Sequence, residues 1–278
     1  MHEPIRLGID LGGSKTEIIA LHGSQELLRR RQATPRGDYP ATLDTIAGMV
    51  EAAERQLGPC SSLGVGIPGT RSPDHGLIKN ANSTWLIGQD LQGDLQRRLQ
   101  RPVRLANDAD CFALSEATDG AAGGAPSVFG AILGTGVGGG IVINGQLLAG
   151  PNGIAGEWGH NPLPARGTED GPSMACYCGR RDCIETFLSG PGWAARSQLQ
   201  LEAEQLVIAA RNGQPKAQAA LQRYIEQLAR SLASVINLLD PHVIVLGGGL
   251  SNIDELYPGV VRHWQEHVFS DRVNTRLV

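Results

Sequence analysis

Residues 5–21 have the sequence IRLGIDLGGSKTEIIAL, and residues 128–143 have the sequence VFGAILGTGVGGGIVI. In each stretch two β-rich runs flank a glycine-rich segment, which predicts a strand, a tight turn and a second strand. The repetition of this pattern in both halves predicts two related α/β domains. We place the boundary in the small, flexible residues 120–126. The predicted N-terminal domain therefore covers residues 1–119 and the C-terminal domain residues 120–278.

Helices and short buried strands are predicted around these two repeats. Apolar residues recur at helical spacing in three segments, and Gly or Pro residues delimit two of them. Short apolar runs that end in Gly, Pro or Asn are typical of buried strands that lead into a loop. The predicted helices cover residues 41–57, 202–212 and 215–239, and the predicted strands cover residues 63–67, 103–106 and 243–246.

The composition is that of a globular protein. Of the 278 residues, 41% are apolar and 19% are charged, and the net charge is −4. The sequence has neither the basic footprint of a nucleic-acid-binding protein nor a polybasic membrane patch. No apolar run approaches the ~18 residues that span a bilayer, and the N-terminus lacks the features of a signal peptide. We therefore expect a cytoplasmic protein with no nucleic-acid or membrane partner.

Three glycine-rich turns are candidate nucleotide-binding elements, although an ordinary tight turn is the alternative for each. Glycine lets backbone N–H groups approach phosphate oxygens, Ser14 and Lys15 can add donors, and Asp10 can hold hydrated Mg²⁺. Residues 134–139 match G-x-G-x-x-G, but a strand follows them where a dinucleotide site requires a helix. The candidates are Asp10, Gly12, Gly13, Ser14 and Lys15 in the first turn, Gly134, Thr135, Gly136, Gly138 and Gly139 in the second, and Gly247 and Gly248 in the third.

Asn107 and Asp108 follow a predicted buried strand and precede a predicted helix. A carboxylate in this position can accept the proton of a hydroxyl group as its oxygen attacks phosphorus. The alternative is that the pair caps the helix, because Asn and Asp are favoured at helix N-termini. Asp108 is therefore a candidate general base.

His160, Cys176, Cys178 and Cys183 form the strongest chemical signal in the sequence. They are spaced H-x15-C-x-C-x4-C within a segment rich in Gly and Pro. Four nitrogen and sulfur donors suit tetrahedral Zn²⁺, whereas a disulfide framework is typical of secreted proteins. The alternative is a group of reduced thiols without a metal. We predict a structural zinc site, since four protein ligands leave no open position for water or substrate.

Together these elements resemble the ROK family of sugar kinases and sugar-responsive repressors. The resemblance extends over nearly the whole chain, and its most specific part is the Glu-x-x-His pair followed by the cysteine cluster. Ser14 replaces the usual Thr of the family, and Asp182 replaces a usual Gly. The matching stretches are GIDLGGSK (8–15), LAND (105–108), GTGVGGG (134–140), GEWGH (156–160), CYCGRRDCIE (176–185) and VLGGG (245–249).

The resemblance implies an actin-like ATPase (ribonuclease H-like) fold, with two related domains around an interdomain cleft that binds ATP. It implies that Asp108 is the catalytic base and that ATP, Mg²⁺ and structural Zn²⁺ are bound. Family members usually continue with another strand and a helix, and whether the sequence is truncated after Val278 stays open. The residues expected to contact the sugar are Gly69, Asn82, Asn107, Asp108, Glu157, His160 and Glu185.

The stretches KNANSTW (79–85) and GEWGHNPLP (156–164) resemble the bacterial fructokinase branch of this family. We therefore expect phosphorylation of the terminal (6-) hydroxyl of fructose. N-acetylglucosamine, mannose and glucose stay open as substrates, because hexoses differ only in the placement of a few polar groups. A sugar-responsive regulator without its DNA-binding domain is the alternative from another class, and a homodimer is compatible with either function.

Overall fold

A computed structural model describes residues 4–278 of the chain. These residues form two compact units. The first unit contains the described residues up to Cys111 together with Ala149–Ile154, and the second contains Phe112–Leu148 and Ala155–Val278. None of the described helices is both long enough and apolar enough to cross a bilayer.

The first unit is built on a mixed sheet with helices packed against it. Its strands are β1 (Ile5–Leu11), β2 (Lys15–His22), β3 (Gln25–Ala33), β4 (Ser62–Ile67), β5 (Thr70–Arg71), β6 (Ile78–Lys79) and β7 (Arg104–Asn107). Its helices are α1 (Tyr39–Leu57), α2 (Leu91–Leu99) and the first residues of α3 (Asp108–Thr118). Buried side chains of the sheet, such as Ile9 and Ile18, form one core with Ile46 of α1 and Leu95 of α2.

The strand order of this sheet is β3-β2-β1-β4-β7. Strands β1, β2 and β3 pair antiparallel, whereas β1, β4 and β7 are parallel. In the parallel part Asp10 is aligned with Gly66, and Ile67 with Asn107. The carboxyl ends of three strands therefore meet at one edge of the sheet, where Asp10 and Asn107 lie.

The second unit repeats this topology. Its strands are β8 (Ser127–Leu133), β9 (Val137–Ile143), β10 (Gln146–Leu147), β11 (Val243–Gly247) and β12 (Arg276–Leu277), and its helices beyond α3 are α4 (Glu185–Leu188), α5 (Gly190–Ser197), α6 (Ala203–Arg211), α7 (Pro215–Leu239) and α8 (Leu256–Trp264). The order is β10-β9-β8-β11-β12, with an antiparallel meander followed by two parallel strands. The predicted internal duplication is therefore present in the topology.

Helices cover both faces of the second sheet. Phe129 and Leu133 of β8 share a core with residues of α4 to α8, such as Phe187 and Leu228. On the other face α3 packs closely, because Gly130 has no side chain. A Cβ atom on Gly130 would lie 2.8 Å from the Cβ atom of Ala113.

The three predicted helices are confirmed as α1, α6 and α7. The second glycine turn is shorter than expected, because β9 already begins at Val137 and includes Gly138 and Gly139. The division between the units also differs from the boundary placed at residues 120–126. It falls inside α3, since Ala113 and Ala117 of that helix pack with β8 and β11 of the second sheet.

Candidate phosphotransfer residues and metal loop

Asp10 and Asp108 lie near each other at the carboxyl edge of the first sheet. Asp10 ends the parallel part of β1, and Asp108 follows the last residue of β7. Desolvation, together with the charges of Asp110, Asp108 and Asp10, raises the pKa of the Cys111 thiol to about 11. Desolvation and then the charge of Glu17 raise the pKa of Asp10 itself. This edge of the first unit therefore concentrates negative charge, as a site for a hydrated cation and a transferable proton requires.

Asn107 is the residue of this pair that caps α3. Its Oδ1 atom accepts hydrogen bonds from the backbone N–H groups of Ala109 (2.9 Å) and Asp110 (3.2 Å). Its Nδ2 atom donates to the carbonyl oxygen of Gly69 at 2.9 Å. Asp108 occupies the first turn of the helix, where Oδ1 accepts from the N–H of Ala109 at 2.8 Å. The capping alternative thus applies to Asn107 and leaves Asp108 as the general-base candidate.

Gly69 connects this edge to the loop that contains Asn82. Its φ is +85°, and a Cβ atom there would lie 2.6 Å from the carbonyl oxygen of Lys79 and 2.8 Å from the N atom of Ala81. Only glycine tolerates both the conformation and this approach. Asn82 itself is exposed and accepts a hydrogen bond of 3.4 Å from the hydroxyl of Ser83.

The first glycine turn, residues 12–14, is held through its carbonyl groups. Thr34 donates from its N–H to the oxygen of Ser14 (3.0 Å) and from Oγ1 to the oxygen of Gly12 (2.8 Å). Arg36 donates to the oxygen of Gly13 at 3.0 Å. A Cβ atom on Gly12 would lie 2.8 Å from the carbonyl oxygen of Lys15, so this turn requires glycine. The conformation of the turn is therefore fixed by hydrogen bonds within the protein.

The second glycine turn, residues 134–136, is held by a segment that follows the cysteine cluster. The N–H of Gly134 donates to the oxygen of Gly136 at 3.0 Å, which closes the turn. The N–H of Gly190 donates to the oxygen of Gly134 at 2.8 Å. The carboxylate of Glu185 accepts from the N–H of Val137 at 2.9 Å. Glu185, expected to contact sugar, therefore also touches the predicted phosphate turn.

A cavity of about 730 Å³ opens beside this turn within the second unit. Its walls include the turn itself, the start of α5, the outer face of α6 and the third glycine run. Six of the lining residues are Gly134, Thr135, Pro191, Val207, Ile208 and Gly249. No residue of α5 or α6 was predicted to take part in a site from the sequence. Ile208 of α6, which lines this cavity, is 53% exposed although it is apolar.

In the third glycine run, packing against other parts of the protein requires glycine at positions 247 and 248. A Cβ atom on Gly247 would collide with the ring of Phe112, and one on Gly248 would lie 2.5 Å from the oxygen of Leu133. The φ of Gly248 is also +82°. A short 3-10 helix, Gly249–Asn252, follows this run, and α8 begins only at Leu256. The run therefore does not place the N-terminus of an α-helix beside a phosphate. Its residue Gly249 lines the cavity.

The four predicted metal ligands converge in the second unit. The ligand atoms of His160, Cys176, Cys178 and Cys183 all lie within 4.8 Å of one another. The Nδ1 atom of His160 is 3.6 Å from the Sγ atom of Cys176, and the Sγ atoms of Cys178 and Cys183 are also 3.6 Å apart. Two thiolates on one tetrahedral zinc ion are about 3.8 Å apart, since Zn–S bonds are about 2.3 Å long. The donor set and its spacing fit a metal ion.

Asp182, which replaces a usual glycine, preserves the turn of the cysteine cluster. Its φ is +57°, a conformation that Asp tolerates better than most residues. Its carboxylate accepts from the N–H of Met174 at 2.8 Å, and its own N–H donates to the oxygen of Met174 at 2.9 Å. The side chain of Arg196 lies 3.5 Å from the same carboxylate. The departure from the family pattern therefore does not disturb the ligand geometry.

Two further candidates for sugar binding lie beside the metal cluster. Desolvation and then the charge of Glu185 raise the pKa of Glu157, while His160 opposes this shift. The Nε2 atom of His160 faces the hydroxyl of Tyr177 at 3.0 Å. The structure therefore brings Glu157, His160 and Glu185 together in the second unit, whereas Gly69, Asn107 and Asp108 are together in the first.

The duplicated topology, in which a glycine-turn hairpin opens each five-stranded sheet, is that of the actin-like ATPase fold. A family model described as the ROK family matches residues 6–277, and the chain belongs to this family.

Similar proteins agree with this assignment. An N-acetyl-D-glucosamine kinase of Yersinia pseudotuberculosis is 41% identical over 270 residues, which are 94% of this chain and 89% of that protein. An N-acetyl-D-glucosamine kinase of Pectobacterium carotovorum is 42% identical over 259 residues, or 90% and 85% of the two chains. The crystal structure of a ROK hexokinase from Thermus thermophilus matches with a TM-score of 0.84 and 29% identity, over 98% and 92% of the chains. Both of these curated relatives are N-acetyl-D-glucosamine kinases, so they do not support the expected fructokinase branch.

Proposed function

We propose that this ROK-family protein is an ATP-dependent N-acetylglucosamine kinase that phosphorylates the 6-hydroxyl of the sugar. The observation that carries the proposal is the 41% identity to an N-acetyl-D-glucosamine kinase over 94% of the chain. N-acetylglucosamine was an alternative to fructose on sequence grounds, and the similarity to these relatives favours it. Fructose, glucose and mannose remain the competitors that an experiment must exclude.

Asp108 is proposed as the general base. Asp108 lies in the first turn of α3, directly after the strand that ends at Asn107. A hydrogen bond from the N–H of Ala109 holds its carboxylate there. The carboxylate would accept the proton of the sugar hydroxyl as the oxygen attacks the γ-phosphorus of ATP. Asn107 would orient this region, because it links the start of α3 to Gly69.

The nucleotide is proposed to bind in the 730 Å³ cavity of the second unit, beside the second glycine turn. The first glycine turn is proposed, by itself, as a phosphate-binding element of the first unit. The apolar side chains of Val207 and Ile208 in the cavity wall suit an adenine ring, and Gly134 and Thr135 lie at the end where phosphates would be placed. Backbone N–H groups in such turns are suited to phosphate oxygens. Asp10 would hold the hydrated Mg²⁺ that neutralises the phosphates.

The cysteine cluster is proposed to hold one structural zinc ion. His160, Cys176, Cys178 and Cys183 would fill a tetrahedron, and four protein ligands leave no position for water or substrate. No residue from 164 to 182 belongs to the apolar core of the second unit, so a metal would stabilise the conformation of this segment. Glu157 and Glu185, which flank the ligands in sequence, would then be oriented toward sugar hydroxyls.

The proposal is tested by an ADP-release assay in which N-acetylglucosamine, glucose, mannose and fructose are compared under the same conditions. N-acetylglucosamine is expected to have the highest kcat/KM. The Asp108→Asn variant serves as the control, because ADP release that it retains does not come from the proposed site. Preference for another hexose would refute the substrate, and the lack of sugar-dependent ADP release with all four would refute the kinase assignment.

A further inference from the structure

The carboxylate of Glu185 lies directly against the second glycine turn. Its Oε2 atom accepts a hydrogen bond from the N–H of Val137 at 2.9 Å. A Cβ atom on Gly136 would lie only 2.8 Å from the same oxygen. Glu185 begins α4 two residues after the proposed metal ligand Cys183. One side chain therefore joins residues 156–185, called here the metal loop, to the turn that lines the cavity.

A second contact joins the same segment to the other end of the turn. The N–H of Gly190 donates to the carbonyl oxygen of Gly134 at 2.8 Å. The residues between these two contacts are fixed, since Phe187 and Leu188 are fully buried in the core of the second unit. Residues 185–190 thus hold both ends of the turn.

The other end of the metal loop contacts the strand that follows the turn. The indole N–H of Trp158 donates to the oxygen of Gly138 at 2.8 Å. A Cβ atom on Gly139 would lie 2.9 Å from both the oxygen of Gly156 and the Cδ1 atom of Trp158. Gly139 of β9 is therefore required by the packing of residues 156–158 against this strand, independently of any phosphate.

We propose that Glu185 is a positioning residue for the nucleotide, because its carboxylate holds Val137 and thereby fixes the Gly134–Gly136 turn onto the metal loop. The metal loop and the phosphate turn would then keep a fixed relative position. Glu185 would act on the nucleotide by fixing the backbone conformation of the turn. That this turn binds a nucleotide rests on the proposed function. The hydrogen bond between Glu185 and Val137, which shapes the turn, is independent of that function.

The test compares two substitutions of Glu185 with one of its neighbour. In Glu185→Gln the side-chain carbonyl can still accept from Val137, so the Kd for the ATP analogue AMPPNP, measured without sugar, should stay within about twofold of wild type. Glu185→Ala removes the acceptor of a charge-assisted bond, and AMPPNP affinity should fall roughly tenfold. Glu157→Ala, the matched control, changes a carboxylate of the same loop and should leave AMPPNP affinity unchanged while it weakens sugar binding.

Amide hydrogen exchange of residues 134–140 gives a result that does not depend on any ligand. Exchange should be faster in Glu185→Ala than in wild type, and Glu185→Gln and Glu157→Ala should match wild type. Circular dichroism verifies that each variant is folded. Equal exchange and equal AMPPNP affinity in Glu185→Ala and wild type would overturn the proposal. Faster exchange and weaker AMPPNP binding in Glu185→Ala, together with a wild type that phosphorylates none of the four hexoses, would support the proposal and refute only the kinase assignment.

Discussion

Replacement of Asp170 by alanine should lower the free energy of unfolding by about 3–5 kcal/mol, because it leaves a buried arginine without its counter-ion. The Asp170 side chain is 1% exposed, and that of Arg230 on α7 is 11% exposed. Their atoms Oδ1 and Nη2 are 2.6 Å apart, and Gln227 donates to the same oxygen at 2.9 Å. This loss of stability is the usual cost of removing one partner from a buried ion pair. It is larger than the contribution of an exposed ion pair, which is about 0–1 kcal/mol.

The same pair fixes part of the chain between the proposed metal ligands His160 and Cys176. Arg230 also donates to the carbonyl oxygens of Pro164 and Ala165 at 3.2 and 2.7 Å. The backbone N–H of Gly167 donates to the second carboxylate oxygen of Asp170 at 2.9 Å. Residues 164–170 are thereby attached to α7, so the variant should also bind sugar more weakly than wild type.

The stabilisation should depend on pH. Burial alone would raise the pKa of Asp170, but hydrogen bonds from Arg230, Gln227 and Gly167 lower it below its usual value. A carboxyl group with a lowered folded-state pKa stabilises the fold above its unfolded pKa of about 3.9, and this contribution is lost as the pH falls further. The difference in stability between wild type and Asp170→Ala should therefore be constant near neutrality and decrease below about pH 4.

Urea denaturation of wild type and Asp170→Ala measures this difference. Glu169→Ala is the matched control, since its side chain is an exposed neighbour and its removal should change stability by less than about 0.5 kcal/mol. A loss below about 1 kcal/mol for Asp170→Ala, at an unchanged m-value, would refute the assignment of a buried ion pair.

Three further predictions concern the proposed site. Asp108→Asn should lower kcat by a factor on the order of 10²–10⁴ without loss of circular dichroism signal, and a rate within a few-fold of wild type would remove Asp108 from the mechanism. Gly12→Val and Gly136→Val should each raise the KM for ATP more than that for sugar, because each side chain would meet an oxygen already 2.8 Å from the Cβ position; equal effects on both substrates would contradict the phosphate role. Cys178→Ala should lose zinc in elemental analysis and weaken sugar binding, and a metal-free wild-type protein with full activity would exclude a structural metal.

Local features of the chain were predictable from the sequence. Strand–turn–strand hairpins and amphipathic helices follow from residue spacing over short distances, so β1–β2, β8–β9 and α7 were located correctly. The four candidate metal donors, whose ligand atoms converge in the structure, were also identified, because they occupy a short segment and their chemistry is specific. The duplication of the hairpin was a sufficient signal for the repeated sheet topology.

Contacts between distant residues were decided only by the tertiary structure. Gly139 and Gly247 looked like phosphate-binding residues, but the side chains of Trp158 and Phe112 occupy the space beside them. The cavity wall formed by α6 and the contact between Glu185 and Val137 were likewise not predicted. A glycine in the sequence indicates only that a side chain is not tolerated. Which neighbour excludes it, ligand or protein, depends on residues that folding brings together from far along the chain.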